Sequence, residues 1–327
     1  MTPSTSVQPK KSFLEQLPSL TVLGPLIALI LIMILFGVLS PRFFTGSNFS
    51  VIIQQVMVVG VLGIGQTLII LTSGIDLSCG VIMAFGSIVM TKFAQDYGVP
   101  PMLAILAGLA ATTLFGFVNG LLITRIKLPP FIVTLGMLNI ASALTLIYSK
   151  SATIVVPPGA LLFFGNTFKI GDTSIAFGVI LMIALFVGTW LFLTETAPGR
   201  HLYAVGNSPE AARLTGIPTQ RVLLVVYTVA GLIYGIAAWL LVSRTGVGDP
   251  NAGQTENLDS ITAVVLGGTS LFGGRGMIFG TLLGAIIIGV LNNGLTLTGV
   301  PSINQRWITG VLVILAVTAD QLSKRKS

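Results

Sequence analysis

Long apolar runs separated by short polar, glycine or proline breaks dominate this 327-residue sequence. The first run extends from Leu20 to Leu39, about the 20 residues that an α-helix needs to cross the hydrocarbon core of a bilayer. Hydrophobic residues make up 53% of the chain and charged residues only 8%. A single water-soluble core cannot bury that much apolar surface, so the sequence predicts a polytopic membrane protein with lipid as its solvent.

The breaks divide the chain into about ten predicted membrane helices. They cover residues 20–39, 51–72, 78–93, 102–124, 131–149, 174–193, 222–243, 260–272, 277–297 and 304–320. Segments 78–93 and 260–272 are short enough to be half-helices or re-entrant segments that pack against protein. The expected fold class is therefore all-α, with one transmembrane domain over residues 20–320.

The charged residues fall mainly between the predicted helices. The net charge of +7 is therefore interpreted as a signal of membrane orientation, and no nucleic-acid partner is expected. Of the 17 Lys and Arg residues, eleven lie on the cytoplasmic side if the N-terminus is inside, and the positive-inside rule then predicts two cytoplasmic termini. Residues 1–19, rich in Ser, Pro and Lys, are expected to form a disordered cytoplasmic tail, and residues 321–327 a basic one.

Residue content excludes several kinds of catalytic and binding site. Cys79 is the only cysteine and His201 the only histidine, so the sequence has no internal disulfide and no cluster of Cys and His for a metal site. The lone His201 and the absence of a Gly-x-Ser-x-Gly elbow also argue against a serine hydrolase. The absence of any Gly-Lys dipeptide excludes a Walker A site. We expect no enzyme activity and no cofactor in this chain, and ATP hydrolysis would require a separate subunit. Asp76 is interpreted as a cap of the following helix and Asp259 as an interfacial residue.

Glycines one helical turn apart occur in three predicted helices, as the pairs Gly116/Gly120, Gly231/Gly235 and Gly280/Gly284. Such pairs let helix backbones approach closely in a membrane, so they predict helix packing. The glycine-rich run 267–276 lacks the Lys-Ser/Thr pair of a phosphate-binding loop. It is expected to form a hinge or tight turn between two membrane helices.

Amide side chains lie within several of the apolar runs. An unpaired amide costs free energy in hydrocarbon, whereas a paired one offers both donors and acceptors to the hydroxyl groups of a neutral solute. Gln55 and Gln66 are eleven residues apart, close to three helical turns, and are expected to face one lumen. The alternative interpretation is hydrogen bonding between helices, which is common in membrane bundles. The candidates for a solute path are Gln55, Gln66, Asn119, Asn139, Asn292 and Asn293.

The segment 194–221 is polar and basic and interrupts the apolar runs. Within it, residues 209–214 (PEAARL) favour a short helix, with Asn207 and Ser208 as capping residues and Gly216-Ile217-Pro218 as its end. Two turns of helix are marginally stable alone in water. We therefore expect this helix to be held in the groove of a soluble partner.

Five segments, taken in order, resemble a known family. They are LTSGIDLSCG (71–80), LPPFIVTLGML (128–138), GRHLYAVGNSPEAARLTGI (199–217), LDSITAVVLGGTSLFGGRG (258–276) and GTLLGAIIIGVLNNGLTLTG (280–299). They are similar to segments of bacterial ABC importer permeases of the ribose, xylose and galactose type. Because the matches are ordered and cover most of the chain, they are more specific than any single motif.

The resemblance implies a permease subunit of the bacterial inner membrane that forms a homodimeric or pseudo-dimeric pore. It also implies three partners: a second permease copy, a cytoplasmic subunit with tandem ATP-binding modules, and a periplasmic binding protein that delivers a monosaccharide. By position, Glu210, Ala211, Ala212 and Gly216 match the ATPase-contacting helix of that family, and Arg213 completes the predicted coupling set. Asn292 and Asn293 match a polar patch in a core helix.

Two positions depart from the family pattern. Cys79 stands where an apolar residue is more usual and is expected to act as a buried residue of similar size. Asn257 stands where an acid is usual, which puts in doubt a role for an acid next to Asp259. The main alternative function is a secondary sugar transporter or facilitator that needs no ATPase, for which inverted repeats and ionisable groups near the midplane would be evidence.

Overall fold

The computed structural model describes residues 20–156 and 158–324 of the chain, and over these ranges the fold is mainly α-helical. The helices are α1 (Leu20–Leu39), α2 (Gly46–Leu71), α3 (Cys79–Gln95), α4 (Pro101–Arg125), α5 (Pro130–Ser149), α6 (Phe177–Glu195), α7 (Ala197–Asn207), α8 (Pro209–Leu214), α9 (Thr219–Thr245), α10 (Glu256–Leu266), α11 (Ile278–Leu297) and α12 (Ser302–Lys324). A 3-10 helix spans Ala160–Gly165.

Six of the described helices, α2, α4, α5, α6, α9 and α11, are long and apolar enough to cross a membrane. This confirms a mainly helical, polytopic membrane protein. Every predicted membrane segment overlaps one helix, but the number of about ten crossings stays a prediction. The predicted tail 1–19 lies outside the described residues, as do residues 325–327, whereas α12 continues as far as Lys324.

The limits predicted for the segment 260–272 were wrong. Helix α10 begins at Glu256 and ends at Leu266, because the glycine-rich run that follows adopts backbone conformations that a helix cannot use. Gly268, Gly273 and Gly274 have φ of 83°, 80° and 69°, in the left-handed region that favours glycine. The 11 residues of α10 span roughly 16 Å, about half of a bilayer core. The run 267–276 is the turn between α10 and α11 that the sequence predicted.

Four short strands lie between helices and were not predicted. Strand β2 (Thr167–Ile170) pairs with β3 (Thr173–Ala176) in an antiparallel hairpin, and its two-residue turn contains Gly171 at φ 59°. Strand β1 (Ile154–Val155) pairs with β4 (Val247–Gly248). These strands connect helix ends and leave the helical character of the protein unchanged.

Helix α9 occupies the centre of the fold and packs against α2, α3 and α4. The contact with α4 is close because two glycines meet: a Cβ atom added to Gly116 would lie 2.9 Å from the Cα atom of Gly231. Similarly, a Cβ atom on Gly284 of α11 would lie 3.0 Å from the Cα atom of Ala263 in α10. The prediction that these glycine pairs mark helix packing is therefore confirmed at both crossings.

Candidate functional site

A polar cavity of about 580 Å³ lies between α2, α9, α10, α11 and α12. Its volume is within the range of small-molecule binding sites, roughly 300–1,000 Å³. The polar residues that line it are Gln55, Arg244, Gln254, Thr255, Glu256, Asp259, Asn292, Thr296, Ser302, Gln305, Arg306 and Thr309, and apolar walls come from Val58, Val59, Leu258 and Ile288. The cavity therefore combines acids, bases and amides within an apolar helix bundle.

The central feature of the cavity is a carboxylate beside an amide. Asp259 lies in the first turn of α10 and is 7% exposed. The Nδ2 group of Asn292, from α11, donates a hydrogen bond to Asp259 Oδ2 over 3.1 Å. Arg244, at the end of α9, lines the same space, and among the described residues its guanidinium has no hydrogen bond or ion pair. The cavity therefore offers donors and acceptors that the protein leaves available.

The predicted path residues occupy different environments. Gln55 and Asn292 line the cavity, whereas Asn139 lies on the exposed surface of α5 and donates only to Leu135 O in its own helix. Asn293 is buried but does not line the cavity, and its Oδ1 atom has no partner among the described residues. Gln66 and Asn119 are completely buried in the protein interior.

The structure does not bring Gln55 and Gln66 to one lumen. Eleven residues of helix correspond to roughly 16 Å along the axis, and over that distance α2 passes from the cavity into the core. There the Nε2 group of Gln66 donates to Asp76 O over 2.6 Å and to Cys79 Sγ over 3.0 Å. The eleven-residue spacing therefore does not determine the depth or the neighbours of the two amides.

Gln66 belongs to a buried polar network, here called the core network, that holds the non-helical connection between α2 and α3. Its side-chain members are Gln66, Asp76, Ser78, Cys79, Asn119, Tyr234 and Asn257, and all are less than 9% exposed. They come from α2, α3, α4, α9, α10 and the connection itself. A break in a helix is tolerated inside a membrane protein only where such partners satisfy the freed backbone groups.

Asp76 is the most highly bonded member of the core network. Its Oδ1 atom accepts from the Ser78 N–H over 2.7 Å and from the Ser78 hydroxyl over 2.5 Å, and Oδ2 accepts from the Tyr234 hydroxyl over 3.1 Å. The interpretation of Asp76 as the cap of α3 needs correction. The N-cap position belongs to Ser78, and Asp76 forms an Asx-type turn two residues earlier.

The two departures from the family pattern contact each other in the core network. Cys79 Sγ donates to Asn257 Oδ1 over 3.0 Å, and Asn257 Nδ2 donates to Leu77 O over 2.5 Å. Cys79 is fully buried as expected, but it is not only a volume filler, because its sulfur also accepts from Gln66. The thiol and the amide therefore form a matched polar pair.

The predicted short helix is present as α8, Pro209–Leu214. Ser208 is its N-cap and accepts from the Ala211 N–H over 3.3 Å, while Gly216, at φ 86°, ends the turn that follows. Ala212 is buried against the protein, whereas Leu214 is 76% exposed. Glu210 and Arg213 form an exposed ion pair of 3.3 Å, which contributes little stability. Helix α8 thus packs against the protein through Ala212 and exposes the apolar side chain of Leu214 at its C-terminal end.

Helix α7, which the sequence analysis missed, anchors α8 to the rest of the fold. Leu202 and Val205 of its apolar face are buried, and burial raises the pKa of the Tyr203 hydroxyl, which donates to Gly276 O over 3.1 Å. Its start has a recognisable signal, because Thr196 caps the helix by accepting from the Gly199 N–H over 3.1 Å and a proline follows in the first turn.

The end of α7 meets two other chain segments at a contact here called the glycine junction, formed by Leu71, Ser73, Gly206, Gly273 and Gly274. Ser73 Oγ lies 2.8 Å from Gly206 O, and the Gly274 N–H donates to Leu71 O over 3.0 Å. A Cβ atom on Gly273 would lie 2.7 Å from Ser73 N. The junction thus joins α7 to the end of α2 and to the turn between α10 and α11.

Charged and amide side chains around a cavity inside apolar membrane helices are typical of a solute pathway. Comparison of the sequence agrees: residues 48–317 match the model of a family described as branched-chain amino acid transport system / permease component. The chain belongs to this family.

Several sugar transport permeases resemble the chain over nearly its whole length. The fructose import permease protein of Rhizobium meliloti is 46% identical over 97% of this chain and 89% of its own length. The ribose import permease protein of Bacillus subtilis is 40% identical over 91% of this chain and 92% of its own length. The D-allose transport system permease protein of Escherichia coli is 35% identical over 91% of each chain.

Proposed function

We propose that this chain is the membrane-spanning permease subunit of an ATP-driven, binding-protein-dependent monosaccharide importer. The observation that carries the proposal is the cavity between α2, α9, α10, α11 and α12, since it offers donors and acceptors inside an apolar bundle. The near full-length similarity to fructose and ribose import permeases supports a sugar as the solute. Two copies of the chain would form the pore in the bacterial inner membrane, with the termini of each copy in the cytoplasm.

In the proposed mechanism, a soluble subunit with tandem ATP-binding modules binds the exposed surface of α8. Glu210, Ala211, Arg213 and the Gly216 turn present that surface, and buried Ala212 fixes its base. The apolar tip at Leu214 is suited to a groove in the partner, because an exposed leucine of this kind gains free energy when it is buried.

Movement of α8 would reach the cavity through the glycine junction. The junction links α7 to the end of α2 and to the turn between α10 and α11, and α2, α10 and α11 all contribute residues to the cavity. The glycines bring the backbones of the three segments into direct contact, so the segments cannot shift independently and would move together. ATP binding would thereby favour one of two pore states, open to the periplasm or open to the cytoplasm.

Uptake measurements test the function. Cells that lack this chain should regain uptake of radiolabelled fructose, ribose or another monosaccharide when the chain is expressed with its ATPase and binding protein. A variant ATPase that binds but does not hydrolyse ATP is the matched control and should abolish uptake. Accumulation of sugar against a gradient in vesicles that contain only this chain would instead identify a secondary transporter.

A further inference from the structure

Asp259 and Asn292 have unused hydrogen-bonding capacity at a buried position in the cavity. A carboxylate has two acceptor oxygens, yet among the described residues only Oδ2 accepts a side-chain hydrogen bond, from Asn292 Nδ2 over 3.1 Å. The amide of Asn292 keeps a second N–H group and its Oδ1 atom. Asn292 is half-buried and both residues line the cavity, so a ligand in the cavity can supply partners for these free groups.

We propose that Asp259 and Asn292 together bind two neighbouring hydroxyl groups of the transported sugar and so contribute to substrate selection. Each hydroxyl both donates and accepts, which matches a carboxylate placed beside an amide. Asp259 would accept from both hydroxyls, while the free N–H of Asn292 would donate to one of the same oxygens. This assignment rests on the proposed function of the chain as a sugar permease.

The charges that line the cavity favour an uncharged solute. Glu256 and Asp259 are balanced by Arg244 and Arg306, so the described lining has no net charge if all four side chains are ionised. Fixed charges that compensate each other in this way leave the lining suited to a neutral solute. Hydrogen bonds to charged groups are also shorter and stronger than those between neutral groups.

Other cavity groups can complete the contacts to the solute. Gln55 lines the cavity from α2, and its side-chain amide makes no hydrogen bond to another described residue. Arg244 contributes unpaired donors from α9. Together with Asp259 and Asn292, these donors and acceptors approach from four helices. Val59 and Ile288 provide an apolar wall that can pack against the C–H groups of a sugar ring.

A charge-exchange series tests the pair in cells that express the complete importer, with uptake normalised to the amount of permease in the membrane. Asp259→Asn and Asn292→Asp should each reduce sugar uptake about tenfold, because each change removes the carboxylate–amide pair. The double variant Asp259→Asn/Asn292→Asp restores one carboxylate beside one amide and should recover uptake severalfold. Asp172→Asn, the same carboxylate-to-amide change in the exposed turn between β2 and β3, is the control and should stay within about twofold of the wild type.

Deoxy sugars distinguish substrate binding by the pair from a purely structural role. If Asp259 binds a hydroxyl group, the wild type should transport an analogue that lacks this hydroxyl more slowly than the parent sugar, and Asp259→Ala should reduce the difference. A structural role would leave the difference unchanged in Asp259→Ala. Uptake by Asp259→Asn within twofold of the wild type, or no recovery in the double variant, would overturn the inference while leaving the sugar permease function intact. Failure of the wild type to restore sugar uptake, with restored uptake of a branched-chain amino acid, would overturn both.

Discussion

The cavity and the core network use the same kinds of side chain for different purposes. Asp76 in the core network accepts three hydrogen bonds from protein groups, whereas the side chain of Asp259 in the cavity accepts one. Gln66 is fully buried between protein partners, and Gln55, on the same helix, faces the cavity. In an apolar bundle, the residue type therefore does not separate scaffold from solute path. The two regions differ in the number of hydrogen bonds that protein groups already make, since Asp76 accepts more than Asp259 and Gln66 donates two. An unpartnered oxygen alone does not mark the solute path, because Gln66 Oε1 and Gln55 Oε1 both lack a partner among the described residues.

The largest effect is expected from removing the centre of the core network. Asp76→Ala leaves the hydroxyls of Ser78 and Tyr234 and one backbone N–H without their acceptor, a loss of about 3 kcal/mol or more. The amount of protein in the membrane and its thermal unfolding temperature in detergent should both fall sharply. Asp76→Asn keeps one acceptor oxygen and should have a smaller effect. Wild-type abundance and unfolding temperature of Asp76→Ala would contradict a scaffolding role.

A change in α8 should impair transport without disturbing either polar region. Ala211 is exposed, so Ala211→Arg should leave abundance unchanged, yet a long charged side chain on the proposed ATPase-binding surface should lower sugar uptake tenfold or more. ATP hydrolysis measured together with uptake should show that turnover and transport are no longer coupled. The small change Ala211→Ser is the matched control. Unimpaired, ATP-coupled uptake by Ala211→Arg would rule out α8 as the coupling contact.

The two glutamines of α2 provide a matched pair for the comparison between regions. Gln66→Leu should lower the amount of folded protein, because Asp76 O and Cys79 Sγ lose a donor in the buried core, a cost of about 1–3 kcal/mol. Gln55→Leu should leave abundance within about 20% of the wild type and lower sugar uptake severalfold. Immunoblotting of membranes and initial uptake rates provide the two measurements. Lower abundance of Gln55→Leu together with normal abundance and lower uptake of Gln66→Leu would contradict the roles assigned to the cavity and the core network.

The smallest effect is expected for the pair formed by Cys79 and Asn257. A thiol is a weak donor, so Cys79→Ala should cost about 1 kcal/mol, and a double-mutant cycle with Asn257→Ala should give a coupling free energy near 0.5 kcal/mol. The unfolding transitions of the four purified proteins would measure this energy. Strict additivity would mean that the two departures from the family pattern are energetically independent.

The positions of the helices were largely predictable, because apolar runs of membrane length, bounded by glycine and proline, must satisfy their backbone groups internally. Helix α8 was predictable because Ser208, Pro209 and Gly216 provide a start and an end. Helix α7 has a comparable start at Thr196 and could have been found. The apolar face of α7 is short, however, and the polar segment 194–221 was interpreted as a loop that contains one helix.

The composition of the site was less predictable than the helices. Gln55 and Gln66 share a helix and nearly a phase, but only packing by α3, α9 and α10 determines which amide is enclosed by protein. Asp259 was interpreted as interfacial because nothing in a single sequence places the short helix α10 against Asn292 of α11. Glu256 and Asp259 are three residues apart, which puts both acids on one face of a helix. This spacing is the signal that could have indicated a polar cavity.

Chemical modification of a cavity residue tests the central claim, that solute passes through this cavity while the core network is scaffold. Cys79 is the only natural cysteine and is fully buried, whereas Thr296 is exposed and lines the cavity. After treatment of cells with a bulky, water-soluble thiol reagent, sugar uptake by Thr296→Cys should be blocked, and uptake by the wild type should be unchanged. Undiminished uptake through fully labelled Thr296→Cys would contradict the proposed path.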